Sequence, residues 1–315
     1  MKVIKDISLE IPGTNVHYFN LDEYTEDNNA TILAYGYNFL ESHHMYDELK
    51  KYNRKVYLNV SMPTEFCGNV PTLQDQFFDE VYSICPYSVN WLNDITKTNK
   101  YKSISYPFNK HDIPTTHDKK YDVCYHGGLH GRYHLECLDI MRKFNYRYMS
   151  MTHGIGGLTS SNLGYATNLN LTNQEKLNLI AECKISICYN YFPVRDGFND
   201  AANIKGRTDW FKNEAFKHID DFKIIPQLKS RLNEAAMART LNLVQKDPWN
   251  VVENYYVPDV DFVYFESNEE LEEKIQQILN NWDDYQQMIE SAYQKSLNYT
   301  TEKLYERIKT DIYEN

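Results

Sequence analysis

Short β-branched or aromatic runs alternate along this chain with longer stretches whose apolar residues recur every three or four positions, the pattern of parallel strands joined by amphipathic helices. Two such series can be separated. In the first, the period predicts strands at 16–19, 31–35, 56–60, 80–84 and 103–106, with helices at 42–52, 73–78 and 88–96 between them. Pro107 and Phe108 then open a polar stretch without periodicity, so 109–120 reads as a linker. The second series predicts strands at 121–125, 146–151, 185–189, 240–245 and 261–265. Its helices fall at 133–143, 173–183, after Pro226 and at 268–280, and two more close the chain. Asn268 reads as an N-cap before the stripe Leu271, Ile275, Ile278 and Leu279. The stretch 190–225 interrupts the rhythm and reads as an insertion, part loop and part helix around 210–218. The fold class expected is α/β, with domains at 1–108 and 121–298 and a helix at 299–315 that can pack back on the first domain.

Length supports that division, because 315 residues exceed what one hydrophobic core ordinarily serves. Two domains of parallel sheet place a cleft between them, and such sheets bind ligands at the carboxyl ends of their strands. Hydrophobic residues make up 42% and charged residues 24%, and no apolar run reaches the roughly 20 residues that span a bilayer. The charged start Met1-Lys2-Val3-Ile4-Lys5-Asp6 does not form the apolar region of a secretion signal, which leaves the cytoplasm as the expected compartment. Cys67, Cys85, Cys124, Cys137, Cys183 and Cys188 include no C-x-x-C pair and read as buried free thiols. A net charge of −11 disfavours nucleic acid and anionic membranes as partners.

The most informative run is Lys229-Ser230-Arg231-Leu232-Asn233-Glu234, which opens the helix after Pro226. A helix N-terminus is the positive end of the macrodipole, so each cation there costs roughly 0.3–1 kcal/mol unless an anion faces it. Phosphate would resolve that conflict. Glu234, three residues beyond Arg231, shares its side of the helix and can accept hydrogen bonds from a ribose diol. A solvated helix face with an Arg231/Glu234 surface pair accounts for the same residues.

The strand at 121–125 runs into His126-Gly127-Gly128-Leu129-His130-Gly131-Arg132, a glycine-rich turn into a helix that suits phosphate or a tight turn without ligand. His153-Gly154-Ile155-Gly156-Gly157 occupies the equivalent place one strand later. After the strand ending at Tyr189 comes Asn190-Tyr191-Phe192-Pro193, where a ring can stack on a base or pack an insertion against the sheet. H-E-x-x-H does not occur and no metal site is expected, and G-x-S-x-G and G-x-x-x-x-G-K-[ST] are also missing.

In this order of parts the second half resembles the donor domain of GT-B glycosyltransferases, in particular the spore-maturation-type glycosyltransferase-like group. The likeness rests on Lys229, Arg231 and Glu234, the strand at 240–245, an acidic turn near Glu253, the strand ending near Glu266 and the helix from Asn268. The turn Tyr125-His126-Gly127-Gly128 with Arg132 is similar to the first donor-domain loop. The resemblance implies two Rossmann-like domains facing a cleft, and metal-independent transfer from a nucleoside-diphosphate sugar, with UDP or GDP as carrier, to a hydroxyl of a glycan, lipid-linked sugar or protein. No resident cofactor is implied. Glu234 would hold the ribose, while Lys229 and Arg231 would neutralise the diphosphate. Gly127, Gly128, Arg132 and Tyr189 complete the expected donor side, and Glu253 stands nearest to the family's second glutamate. Many relatives place a glycine after the small residues of this helix, where this chain has Met237-Ala238-Arg239-Thr240. Glu65, with His153 behind it, is the expected base on the acceptor. Asp259-Val260-Asp261 has the form of a metal-binding D-x-D but precedes a late strand, and reads as a turn. A nucleotide-sugar epimerase, a transferase that glucosylates DNA bases and a non-catalytic nucleotide-sugar-binding protein fit the same scaffold.

Overall fold

Five parallel strands form the first sheet: β1 Lys2–Lys5, β2 Thr31–Tyr35, β3 Arg54–Asn59, β4 Glu80–Ser83 and β5 Tyr101–Ser103, in the order β1-β2-β3-β4-β5. The structure is a computed structural model and describes residues 2–5, 31–35, 53–59, 78–84, 86–128, 132–151, 163–195, 217–219, 222–226 and 228–313. The expected strand 16–19, the helix 42–52 and all but the last residue of 73–78 lie outside the described residues. Helix α1, Pro86–Thr96, covers the sheet with Val89 and Leu92. The last strand comes earlier than the expected 103–106 because Asn93 brackets Tyr101, donating to its carbonyl at 2.7 Å and accepting from its N–H at 3.0 Å. Ile104 to Pro107 then lead out of the sheet as a crossover.

The second unit begins with β6 Tyr121–His126, β7 Tyr146–Ser150, β8 Asn168–Leu169 and β9 Cys183–Cys188. A three-stranded antiparallel sheet follows, from β10 Tyr191–Arg195, β11 Lys217–Ile219 and β12 Phe222–Pro226 in the order β10-β12-β11. Strands β13 Leu241–Gln245 and β14 Val263–Phe265 complete a parallel sheet ordered β14-β13-β9-β6-β7-β8. Helices α2 Arg132–Met141, α3 Asn173–Ala181, α4 Ser230–Met237, α5 Asn268–Asn280, α6 Gln286–Ser296 and α7 Thr301–Tyr313 pack around it. The expected insertion is thus built partly of strand: His218 pairs with Lys223 where a helix was anticipated, and 210–216 lie outside the described residues.

Parity along the strands sorts the core. Val123, Tyr125, Ile185, Ile187, Tyr189, Leu243 and Phe265 face α2 and α5, where Leu138, Met141, Leu271, Ile275 and Ile278 meet them. Cys124 faces the other way, with Leu177 and Ile180 of α3 and Ala235 and Met237 of α4. Leu243 is fully buried, and truncating such a side chain to alanine costs about 2–5 kcal/mol. Cys124, Cys137, Cys183 and Cys188 are free, buried thiols as expected, while Cys67 and Cys85 lie outside the described residues.

Capping corrects one expectation. Ser267, not Asn268, is the N-cap of α5, its Oγ accepting from the Glu270 N–H at 3.4 Å. Asn268 turns inward instead, accepting from the Tyr189 hydroxyl at 3.1 Å and donating to Glu136 at 3.2 Å. Helix α3 starts with a reciprocal capping box, Thr172 with Glu175.

The polar segment 109–120 is tied down at both ends. Phe108 is buried and pairs with the strand-like turn before α7: its N–H donates to Tyr299 O at 3.2 Å and its carbonyl accepts from Thr301 N at 2.8 Å. Further on, the Lys119 ammonium donates to Ala181 O and Arg239 O at 2.8 Å each and to Thr240 Oγ1 at 3.2 Å. A cation there meets the negative ends of α3 and α4, and burial pushes its pKa down to about 8. Helix α7 returns to the first sheet, where Asp311 accepts from the Tyr82 hydroxyl at 2.7 Å and Arg307 donates to Ser103 O at 3.0 Å. Among the described residues no helix is long and apolar enough to cross a membrane.

Candidate functional site

Helix α4 descends from the carboxyl ends of β6 and β9, so its first turn lies at the rim where ligands of parallel sheets bind. Arg231 is 8% exposed and does not reach into bulk solvent. Its guanidinium lies 4.6 Å from the centre of the Tyr125 ring, and Nη1 donates to the Tyr125 hydroxyl at 3.0 Å. It makes no ion pair among the described residues. Burial disfavours its charge, but Tyr125, Cys188 and Glu234 outweigh that and Arg231 stays ionised.

The glycine turn is pressed against the same guanidinium. Gly127 has φ +106°, and a Cβ there would stand 2.5 Å from Arg231 Nη2, so only glycine fits both the backbone and its neighbour. Two hydroxyls brace the turn: Tyr125 donates to Gly128 O at 3.1 Å and Tyr148 to Gly127 O at 3.3 Å. Lys229 is the N-cap residue of α4, and its N–H donates to Asn190 Oδ1 at 3.0 Å, which ties the helix start to the end of β9. Desolvation first, and repulsion from Arg231 second, hold the Lys229 ammonium well below the usual lysine range. Two cations thus crowd the positive end of one helix beside a glycine turn, which is the electrostatic outline of an anion site.

Glu234 lies one turn deeper, 5% exposed. Lys176 Nζ donates to its Oε1 at 2.8 Å, and His126 Nδ1 donates to its Oε2 at 3.0 Å. Burial raises the carboxyl pKa, but Lys176 and His126 reverse this and hold it well below the ordinary carboxylate range. His126 is kept neutral chiefly by burial, which exceeds the pull of Glu234. With its one proton on Nδ1 and directed at Glu234, the ring leaves Nε2 to accept from Ser186 Oγ at 3.4 Å. The order Ser186–His126–Glu234 is that of a nucleophile relay, yet Ser186 sits fully buried within β9, where no substrate carbonyl reaches it. What the line does is hold a carboxylate in place.

The structure therefore brings together Gly127, Gly128, Lys229, Arg231 and Glu234. Arg132 is the first residue of α2, and its side chain lies outside the described set, as do Glu65 and His153 altogether. Tyr189 is fully buried in an aromatic cluster with Tyr125, His134, Tyr191 and Phe265. Its parity with Ile185 and Ile187 turns it toward α5, so neither ring face is open to a base. Glu253 is exposed on a short 3-10 helix and accepts from the Tyr264 hydroxyl at 3.1 Å. Asp259-Val260-Asp261 is a turn, with Asp261 accepting from Lys295 Nζ at 2.5 Å and Ser291 Oγ at 2.7 Å.

Lys176 has no place in the site expected from the sequence, and Tyr125 and His126 enter it only as part of the glycine turn, without a role of their own. The signals were there: His126 shares the parity of Cys124, which faces α3 and α4, and Lys176 occupies the apolar stripe of α3 with Leu177 and Ile180.

Residues 171–309 match the family described as "Glycosyl transferase-like". Anabaena HepE in complex with UDP-glucose superposes with a TM-score of 0.60 at 10% identity, over 91% of this chain and 79% of that one. Sucrose-phosphate synthase from Thermosynechococcus elongatus gives 0.56 at 10% identity, over 90% and 74%. The pneumococcal O-GlcNAc transferase GtfA, in complex with UDP and GlcNAc, gives 0.52 at 11% identity, over 91% and 57%. No curated protein sequence matches the chain. At such identities the superpositions show the fold, two facing Rossmann-like units, and the matched segment includes Lys176, Lys229, Arg231 and Glu234. The second unit thus carries a glycosyl transferase-like sequence pattern, on a fold shared with GT-B glycosyltransferases.

Proposed function

We propose that the chain moves a sugar from a nucleoside-diphosphate sugar to a hydroxyl group of a glycan, lipid-linked sugar or protein, without a metal. The observation that carries this reading is Arg231, a buried cation without an ion pair among the described residues, set against a glycine turn and beside Lys229. A diphosphate placed there would turn their mutual repulsion into attraction, and negative charge growing on it as the sugar leaves would strengthen every contact. Arg231, Lys229 and the positive end of α4 would stabilise the leaving group. The Glu234 oxygens, each taken once by a protein donor, keep lone pairs for the ribose hydroxyls. An inverting transfer would need a base on the acceptor, for which Glu65 and then His153 are the candidates. UDP is the first carrier to try, since HepE and GtfA were solved with it.

Thermal-shift and calorimetric screening against UDP, GDP, CMP, dTDP and ADP and their sugars tests the reading, with one portion of protein treated with chelator. Binding that survives EDTA and falls in Arg231→Ala and Glu234→Ala is expected. Wild-type affinity in both variants would remove the assigned site, and affinity lost to EDTA would remove the metal-independent part. Binding without turnover on any acceptor would leave a nucleotide-sugar-binding protein.

A further inference from the structure

We infer that Lys176 and His126 are a paired positioning device for the Glu234 carboxylate, and that they set its discrimination for a ribose over a deoxyribose carrier. The inference rests on the donor-site reading above. Three separate elements converge to make it: α3 supplies Lys176, β6 ends in His126, and α4 carries Glu234. All three side chains are buried, with exposures of 6% for Lys176, 3% for His126 and 6% for Glu234. A lone carboxylate rotates about its last bond, but one held at both oxygens, at 2.8 Å and 3.0 Å, has a fixed plane.

The two partners do different things. Lys176 offsets the carboxylate charge, so that a diphosphate drawn in by Arg231 and Lys229 is not repelled from one helical turn away. His126 is neutral and donates only a directed hydrogen bond; the Glu234 carboxylate, which can only accept, keeps the proton on Nδ1, and Ser186 meets the far nitrogen. A plane fixed in this way presents its remaining lone pairs in one direction, and a vicinal diol needs that to bond both hydroxyls at once. His126 sits immediately before Gly127, so the same backbone turn that faces Arg231 also aims the imidazole. Diphosphate contact and diol contact are thereby built on consecutive residues of one strand end.

The test is calorimetry of UDP, GDP, ADP and CDP against their 2′-deoxy forms, on wild type, Lys176→Met, His126→Leu, His126→Asn and Lys176→Arg. Wild type is expected to favour the ribose form of its preferred carrier by about tenfold, the worth of one hydrogen bond to a charged group. In Lys176→Met and His126→Leu that ratio should fall to within about twofold, and His126→Asn, which keeps a donor in place, should restore most of it. Lys176→Arg should keep the ratio. His126→Leu removes only a neutral donor and keeps the question answerable if Lys176→Met does not fold. If affinity for both forms drops in step and the ratio holds, the residues are structural and the inference fails while the donor site stands. If wild type binds no nucleoside diphosphate, the donor-site reading fails and takes this inference with it.

Discussion

Replacing Arg231 with methionine should separate function from stability. Three things hold the guanidinium in place: the Tyr125 ring at 4.6 Å, the Tyr125 hydroxyl at 3.0 Å and the backbone of Gly127. A desolvated cation over an aromatic ring contributes about 2 kcal/mol. A hydrogen bond from a charged donor adds about 1.5–3 kcal/mol. Against these stand an effective desolvation penalty of several kcal/mol for a buried ion, and repulsion from Lys229. Met fills most of the same volume without either penalty, so the fold should change in stability by no more than about 1–2 kcal/mol, in either direction. Binding should behave otherwise, because removing one side of a buried charge contact costs about 2–5 kcal/mol, thirtyfold or more in affinity. Urea unfolding of the variant beside calorimetry with its preferred nucleoside diphosphate reads both quantities. A variant that loses more than about 4 kcal/mol of stability, while its folded fraction binds as wild type does, would make Arg231 a structural residue and refute the reasoning.

Two further outcomes are expected. Gly127→Ala puts a Cβ 2.5 Å from the Arg231 nitrogen at φ +106°, so it should destabilise the fold by about 1–3 kcal/mol and also weaken nucleotide binding, read by thermal melting and calorimetry; unchanged values in both would show that the turn relaxes freely. Asp247 is mostly buried, and burial raises its pKa from 3.8 to about 6 despite the N–H groups of Trp249 and Val251. A raised carboxyl contributes stability that is full below the unfolded value and lost as pH climbs through the folded one, so this contribution disappears between about pH 4 and 6. Asp247→Asn should therefore be more stable than wild type at pH 7, by about 1–3 kcal/mol, and equal to it near pH 4; a gap that does not narrow on acidification in urea titrations would contradict the assignment.

The strand and helix pattern was legible because parallel strands buried on both faces write themselves as apolar runs, and β2 occupies the range its period predicts. The α4 site was legible for a different reason: two cations at the positive end of a helix are a local conflict that asks for a ligand. Burial was harder to read. Arg231 and Glu234 could have formed a surface pair, and only their place between the sheet and α3 makes both interior. Tyr189 reads as a donor-side residue from its position at a strand end, whereas its parity with Ile187 turns it into the core. Asn268 looked like a cap because asparagine favours caps, and tertiary bonds to Tyr189 and Glu136 claimed it instead. Lys176 could not be paired with Glu234 from local sequence, since their contact spans 58 positions and depends on how α3 and α4 lie across the sheet.

The backbone passes between the two units at 106–108 and comes back at 299–301, and these passages are hydrogen-bonded side by side through Phe108, Tyr299 and Thr301. A single tether would let the halves swivel in any direction. A doubled one behaves like a flat strap, stiff to twisting and pliant in one plane, so any movement of one unit against the other should follow one coordinate, and shortening the protein before residue 301 would release it.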